Sequence, residues 1–125
     1  MKIREKYPEL EGYIFSKPYV TYDFKEEWGW DRYKVGGKMF AAFCGDNGEN
    51  PLITIKCTPA TNLVLRNQYS PDIKEGYYMN KTHWSSIEVS GSVPFEIIKN
   101  MIDEGYSLIY NSLTKKVKAE LEDKL

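Results

Sequence analysis

Trp30-Asp-Arg-Tyr-Lys-Val-Gly-Gly-Lys-Met-Phe-Ala-Ala-Phe-Cys44 is the stretch on which the fold turns. Two runs rich in aromatic and apolar residues, 30–35 and 38–44, flank Gly36-Gly37. A glycine pair readily takes the positive φ values of a two-residue hairpin turn. Such a turn pairs Val35 with Lys38, Tyr33 with Phe40 and Trp30 with Phe43. Side chains opposite one another in a hairpin share a face. Tyr33, Val35, Phe40 and Ala42 then fall on one side, and Trp30, Arg32, Lys34, Met39 and Phe43 on the other.

Outward from this hairpin the same reasoning yields more strands. Upstream, Val20, Tyr22 and Phe24 alternate with Tyr19, Thr21 and Asp23, a strand within 17–24, and Lys25-Glu-Glu-Trp-Gly29 reads as a loop. Residues 1–12 place Ile3, Tyr7 and Leu10 three to four apart, a short amphipathic helix ended by Gly12. Downstream, Gly45–Pro51 is turn-rich. A strand over Leu52–Cys57 has Ile53, Ile55 and Cys57 on its apolar side. Thr58-Pro59 supplies a capping hydroxyl and an N1 proline for a helix through Gln68, with Ala60, Leu63 and Val64 as its apolar stripe. Residues 70–82 read as loop and Trp84–Val89 as a strand whose Ile87 and Val89 face the core. Ser92 is the expected cap of a helix over 94–110, with Ile98, Met101, Ile102, Gly105 and Ile109 at helical spacing. Leu113, Val117, Leu121 and Leu125 form the stripe of a terminal helix.

Five strands interleaved with helices predict one α+β domain over residues 1–125, a two-layer structure with a mainly antiparallel sheet and helices on one face. The opposite face collects Trp30, Arg32, Lys34, Thr54, Lys56, Trp84 and Ser86.

The formal net charge is −1, so any anion binding must come from local clustering. Residues 31–85 carry seven Lys and Arg against five Asp and Glu, a central excess of two. Cys44 and Cys57 fit neither a metal-ligand spacing nor a disulfide framework and read as buried thiols in a reducing cytosol. No apolar run approaches the ~18 residues needed to span a bilayer. The expectation is a cytoplasmic monomer with no membrane association.

Four segments together resemble the MmcQ/YjbR-like family of small bacterial proteins: Tyr33-Lys-Val-Gly-Gly-Lys-Met-Phe-Ala41, Ile55-Lys-Cys-Thr-Pro59, Gly76–Trp84 and Glu104-Gly-Tyr-Ser-Leu-Ile109. The run Asn80-Lys-Thr-His-Trp84 is the most specific of them. The resemblance spans roughly residues 18–118. It implies a CyaY-like fold, related in shape to frataxins, and a DNA-binding role through wing-like β-hairpins. It implies no enzymatic activity.

The residues themselves leave several readings open. His83, the single histidine, reads as a structural loop residue, a ligand contact or a general base, and the last needs a partner that sequence cannot show. No phosphate-cradling loop, dinucleotide fingerprint, metalloprotease helix or nucleophile elbow is present, which favours binding over catalysis. We therefore expect no catalytic residues, metal or cofactor. The DNA reading gives phosphate contacts to Arg32, Lys34, Lys38, Lys56 and Lys81, hydrogen bonds to Asn80 and His83, and base stacking to Trp84. Its expected outcome is weak binding of low specificity. The alternative is a non-enzymatic module that takes a protein or small ligand on the aromatic face, with Trp30, Met39, Phe43 and Trp84 exposed as an apolar patch.

Overall fold

The computed structural model describes residues 2–45, 51–77 and 79–123. Two short helices, α1 (Ile3–Lys6) and α2 (Pro8–Phe15), precede four strands, β1 (Thr21–Lys25), β2 (Trp30–Val35), β3 (Lys38–Cys44) and β4 (Leu52–Lys56). Helix α3 (Pro59–Gln68) leads into β5 (Ile73–Glu75) and β6 (Trp84–Glu88), and α4 (Phe95–Ser112) and α5 (Lys115–Asp123) close the chain. The six strands form one sheet in the order β1-β2-β3-β4-β6-β5, and each neighbouring pair is antiparallel. This is the expected α+β class with one strand more than the sequence suggested. Among the described residues no helix is long and apolar enough to cross a membrane.

The hairpin forms where the glycine pair places it, with Gly36 at φ 59° and Gly37 at φ 82°. Val35 pairs with Lys38 and Lys34 with Met39, but beyond them the register slips and Tyr33 faces Ala41. Phe40 is the inserted residue of this β-bulge, so every residue after it changes face. Phe40, Ala41 and Phe43 all join the helix-side core, while Ala42 and Cys44 turn to the other side. The expected placement of Phe43 on the outer face and Ala42 on the inner one is thereby reversed. Ring packing accompanies the change. Phe43 meets Tyr33 edge-on at 5.7 Å, and Phe40 meets Tyr106 of α4 at 5.5 Å.

Helix α4 carries the core as its spacing predicts: Ile98, Met101, Ile102, Gly105 and Ile109 are all buried. A Cβ on Gly105 would stand 2.7 Å from the Lys56 carbonyl oxygen, so the glycine sets how closely α4 lies on the sheet. Ser92 does not cap this helix. Its N–H and hydroxyl both donate to Asp72 Oδ2, at 3.0 and 2.7 Å, and Pro94 occupies the cap position.

Three further expectations are corrected. Gly12 lies inside α2, whose Leu10 and Ile14 are buried, and the helix runs on to Phe15. Helix α3 has the predicted ends and the Thr58 cap, yet it turns Leu63 and Val64 to solvent at 63% and 59% exposure. The residue it buries is Asn62, because three polar groups beneath it need an amide. Its Nδ2 donates to the carbonyls of Cys57 (3.2 Å) and Thr82 (2.9 Å), and its Oδ1 accepts from Ser85 (2.6 Å). Finally, β5 lies within the stretch read as loop. It is a three-residue edge strand with Lys74 and Glu75 exposed, so it shows no apolar alternation. The 45–51 turn lies largely outside the described residues, as does Leu125.

Candidate functional site

The face of the sheet away from the helices holds its own small core, formed by Trp30, Ala42, Cys44 and Leu52 with Met39 and Met79 packed against it. Met79 arrives from the connection between β5 and β6, whose described residues, 76, 77 and 79–83, form a strap at this face. The strap is pinned at its start. Gly76 N–H donates to the Trp84 carbonyl at 2.9 Å, and the Tyr77 N–H donates to Ser86 Oγ at 2.9 Å. Gly76 is needed there, since a Cβ would meet Trp84 Cβ at 2.6 Å. Beneath the strap, Ser86, Thr54 and Cys44 form a buried chain, with Oγ···Oγ1 at 2.7 Å and Oγ1···Sγ at 3.1 Å. Burial raises the Cys44 thiol to about 11, and Cys57 is also pushed up by burial, so both remain protonated near neutrality.

The far end of the strap is equally fixed. Asn80 Oδ1 accepts from the N–H groups of Thr82 (2.9 Å) and His83 (3.1 Å), closing a tight turn. Arg66 on α3 donates from Nη2 to the carbonyls of Lys81 and Trp84, both at 2.5 Å, and from Nε to Ser85 Oγ at 3.0 Å. Sequence reasoning did not single out Arg66. An arginine on a helix read as solvent-facing carries no signal that it will satisfy carbonyls on a neighbouring turn.

Beside the strap the described residues form a cleft. Its volume is about 420 Å³, and it is lined by Glu27, Trp28, Trp30, Tyr77 and Met79. Trp30 is its buried floor, while Trp28 and Tyr77 stand at the mouth, 52% and 42% exposed. Trp28 meets Trp30 edge-on, 5.3 Å between centroids and 69° between planes, and Trp30 lies 6.3 Å from Tyr77 at 31°. Trp28 is raised on the β1–β2 turn, whose Gly29 takes φ 69°. Cations surround that indole: Arg32 Cζ and Lys25 Nζ each lie 5.5 Å from its centroid. Glu27 is held in an exposed ion pair with Lys25 at 2.9 Å, which lowers its pKa through the side-chain hydrogen bond.

The eight residues predicted for a nucleic-acid surface are not gathered into one basic field. Arg32 and Lys34 lie side by side on β2, but Asp23 takes both: Arg32 through two hydrogen bonds at 2.7 and 2.8 Å, Lys34 at 3.0 Å. The Arg32 hydrogen bond holds Asp23 down at about 2. Lys81 pairs with Glu75 at 3.3 Å. Lys38 is exposed at the hairpin tip. Lys56 lies with its ammonium 5.6 Å from the centroid of Trp84. His83 is exposed, and its imidazole receives no hydrogen bond or ion pair from a described residue. Asn80 spends its side-chain oxygen on the turn. Trp84 falls on the outer side as parity predicts, opposite Lys56 in the β4–β6 pair, yet it is only 7% exposed and cannot stack on a base as placed.

The expected aromatic patch changes membership for the same reasons. Trp30 lies in the small core against which Met79 packs, Trp84 is buried, Phe43 has moved to the inner core, and Met39 is half-buried. Trp28, Tyr77, Met79 and Glu27 take their place. The signal for Trp28 was available, since a tryptophan in a charged turn has no strand neighbours to bury it. Among the described residues no group of three or more His, Cys, Asp or Glu is placed to hold a metal ion.

Comparison with known proteins gives a consistent picture. Residues 15–108 match the model of the YjbR family. The chain is 34% identical to the Escherichia coli O157:H7 protein YbdF over 86 residues, 69% of each chain. It is 29% identical to the Escherichia coli K12 protein YjbR over 108 residues, 86% of this chain and 90% of that one. The crystal structure of Deinococcus radiodurans protein DR2400, a DUF419 domain, superposes with a TM-score of 0.82 at 26% identity. The match covers 92% of this chain and 86% of the other.

Proposed function

The chain belongs to the YjbR family, and on that premise we propose that it is a non-enzymatic binding module whose site is the Trp28–Tyr77 cleft. The observation that carries this reading is the pairing of a fixed aromatic floor with two exposed rings at the mouth. Trp30 is held by a packed core, while Trp28 and Tyr77 expose large apolar surface that a ligand would cover. The cleft volume falls in the range of about 300–1,000 Å³ usual for small-molecule sites. No histidine, cysteine, serine or lysine is among its described lining residues, so the chemistry on offer is stacking, apolar contact and one carboxylate. A small ligand is the occupant that suits this geometry.

The test is a ligand-observed NMR screen of a fragment library against the wild type and the Trp28→Ala/Tyr77→Ala variant. Both replaced side chains are partly exposed, at 52% and 42%, and a thermal melt of the variant checks that its core is kept. Fragments that bind the wild type and not the variant are the expected result. A hit list unchanged by the double substitution would remove the cleft as the site.

A second reading, weak contact with nucleic acid, keeps one observation in its favour. No described carboxylate pairs with Lys38 or Lys56, so these two ammonium groups are available to phosphate. Two neutralised phosphates would give a slope of log K on log salt near −2, shallow for a DNA-binding protein. A salt titration with duplex and single-stranded oligonucleotides checks it. Wild type that binds neither form at about 20 mM salt ends this reading.

A further inference from the structure

We propose that the occupant of the aromatic cleft is an organic cation bearing a quaternary or methylated ammonium group, an inference that rests on the cleft being a ligand site. The described lining consists of three aromatic rings, a thioether and one charged group, the Glu27 carboxylate. The rings present differently tilted π surfaces, with 69° between Trp28 and Trp30 and 31° between Trp30 and Tyr77. Several ring surfaces around one space, with a carboxylate at the rim, is the arrangement that attracts a large, weakly hydrated cation. An anion would meet Glu27, which is 69% exposed at the rim.

The protein already places an ammonium on two of these elements. Lys25 Nζ lies 2.9 Å from Glu27 Oε2 and 5.5 Å from the Trp28 centroid. Lys25 stands outside the described lining but engages the same carboxylate and indole that a ligand cation would use. It is held by one ion pair with Glu27 and by the face of Trp28, both weak restraints. Arg32, at the same distance from Trp28, is different. Its guanidinium is clamped by Asp23 in two hydrogen bonds, and it shares that carboxylate with Lys34. Lys25 is therefore the group a ligand displaces, and it sets a competition that a neutral ligand would not feel.

The experiment titrates the full chain with choline and with its neutral isostere 3,3-dimethylbutan-1-ol, at matched ionic strength, following the indole N–H signals of Trp28 and Trp30. Choline should bind about tenfold more tightly than the alcohol, the scale of a partly desolvated cation–π contact. Glu27→Gln should weaken choline several-fold and leave the alcohol unchanged. Lys25→Ala should strengthen choline, because the internal competitor is gone. Equal affinity for choline and the alcohol would overturn the cation inference and leave the cleft as a ligand site. So would choline binding that Lys25→Ala and Glu27→Gln both leave unmoved. If neither probe shifts the indoles, the cation inference fails. The fragment screen on the double variant then decides separately whether the cleft binds anything.

Discussion

Asn62 shows how a single polar side chain can orient an element. Helix α3 has two candidate faces, the Leu63–Val64 side and the Asn62 side, and hydropathy alone selects the first. The chain selects the second, because turning Asn62 outward would strand the Cys57 and Thr82 carbonyls and the Ser85 hydroxyl. An unsatisfied buried polar group costs about 1–3 kcal/mol. Asn62→Ala should therefore lower unfolding free energy by about that amount, and Leu63→Ala should stay within about 0.5 kcal/mol of wild type. Urea melts of the two variants check this, and the reverse ranking would return the helix to its hydrophobic reading. Trp84 carries a related lesson. Its parity was legible in the alternation of β6, but its burial, at 7% exposure, has no counterpart in that alternation.

At the scale of elements, α4 was the most legible part of the chain, because five buried positions at helical spacing admit one reading. Gly105 gives that reading a test. Alanine is better than glycine in a helix interior by about 1 kcal/mol, yet its Cβ would press on the Lys56 carbonyl at 2.7 Å and on Ile55 Cγ2 at 3.0 Å. Overpacking of this kind costs about 1–3 kcal/mol. Gly105→Ala should be net destabilising in a urea melt, and a stabilised variant would mean that α4 can lift off the sheet freely. The hairpin was legible in its ends and its turn but not in its register. Four consecutive apolar residues, Phe40 to Phe43, hide the parity change, and only the packing of Phe40 against Tyr106 and Phe43 against Tyr33 locates the bulge. The edge strand β5 was illegible for another reason, since its two exposed charged residues erase the alternation on which strand recognition depends.

At the scale of the whole molecule, charge pairing decides what the outer surface offers. The central excess of cations is visible in the sequence, but sequence separation conceals that Asp23 sits opposite Arg32 and beside Lys34. The Arg32 hydrogen bond lowers the Asp23 pKa to about 2 from 3.8. A depressed carboxylate contributes stability that is present above its unfolded pKa and is lost as pH falls through the folded value. Wild type should therefore lose this contribution between about pH 4 and pH 2, and Asp23→Asn should lack that component of the acid transition while being less stable at pH 7. Thermal melts across that range check the sign, and identical profiles for the two proteins would show the pair to be inert. With its cations largely paired and its strap pinned at both ends, the outer face has the Trp28–Tyr77 cleft as the ligand site we propose. The most direct measurement follows the three indole N–H signals in a two-dimensional NMR spectrum, first with a cleft ligand and then with a single-stranded oligonucleotide. The ligand should move Trp28 and Trp30 and leave Trp84 in place. Movement of Trp84 with the Lys38 and Lys56 amides, while Trp28 stays still, would place binding on the basic side of the face and not in the cleft.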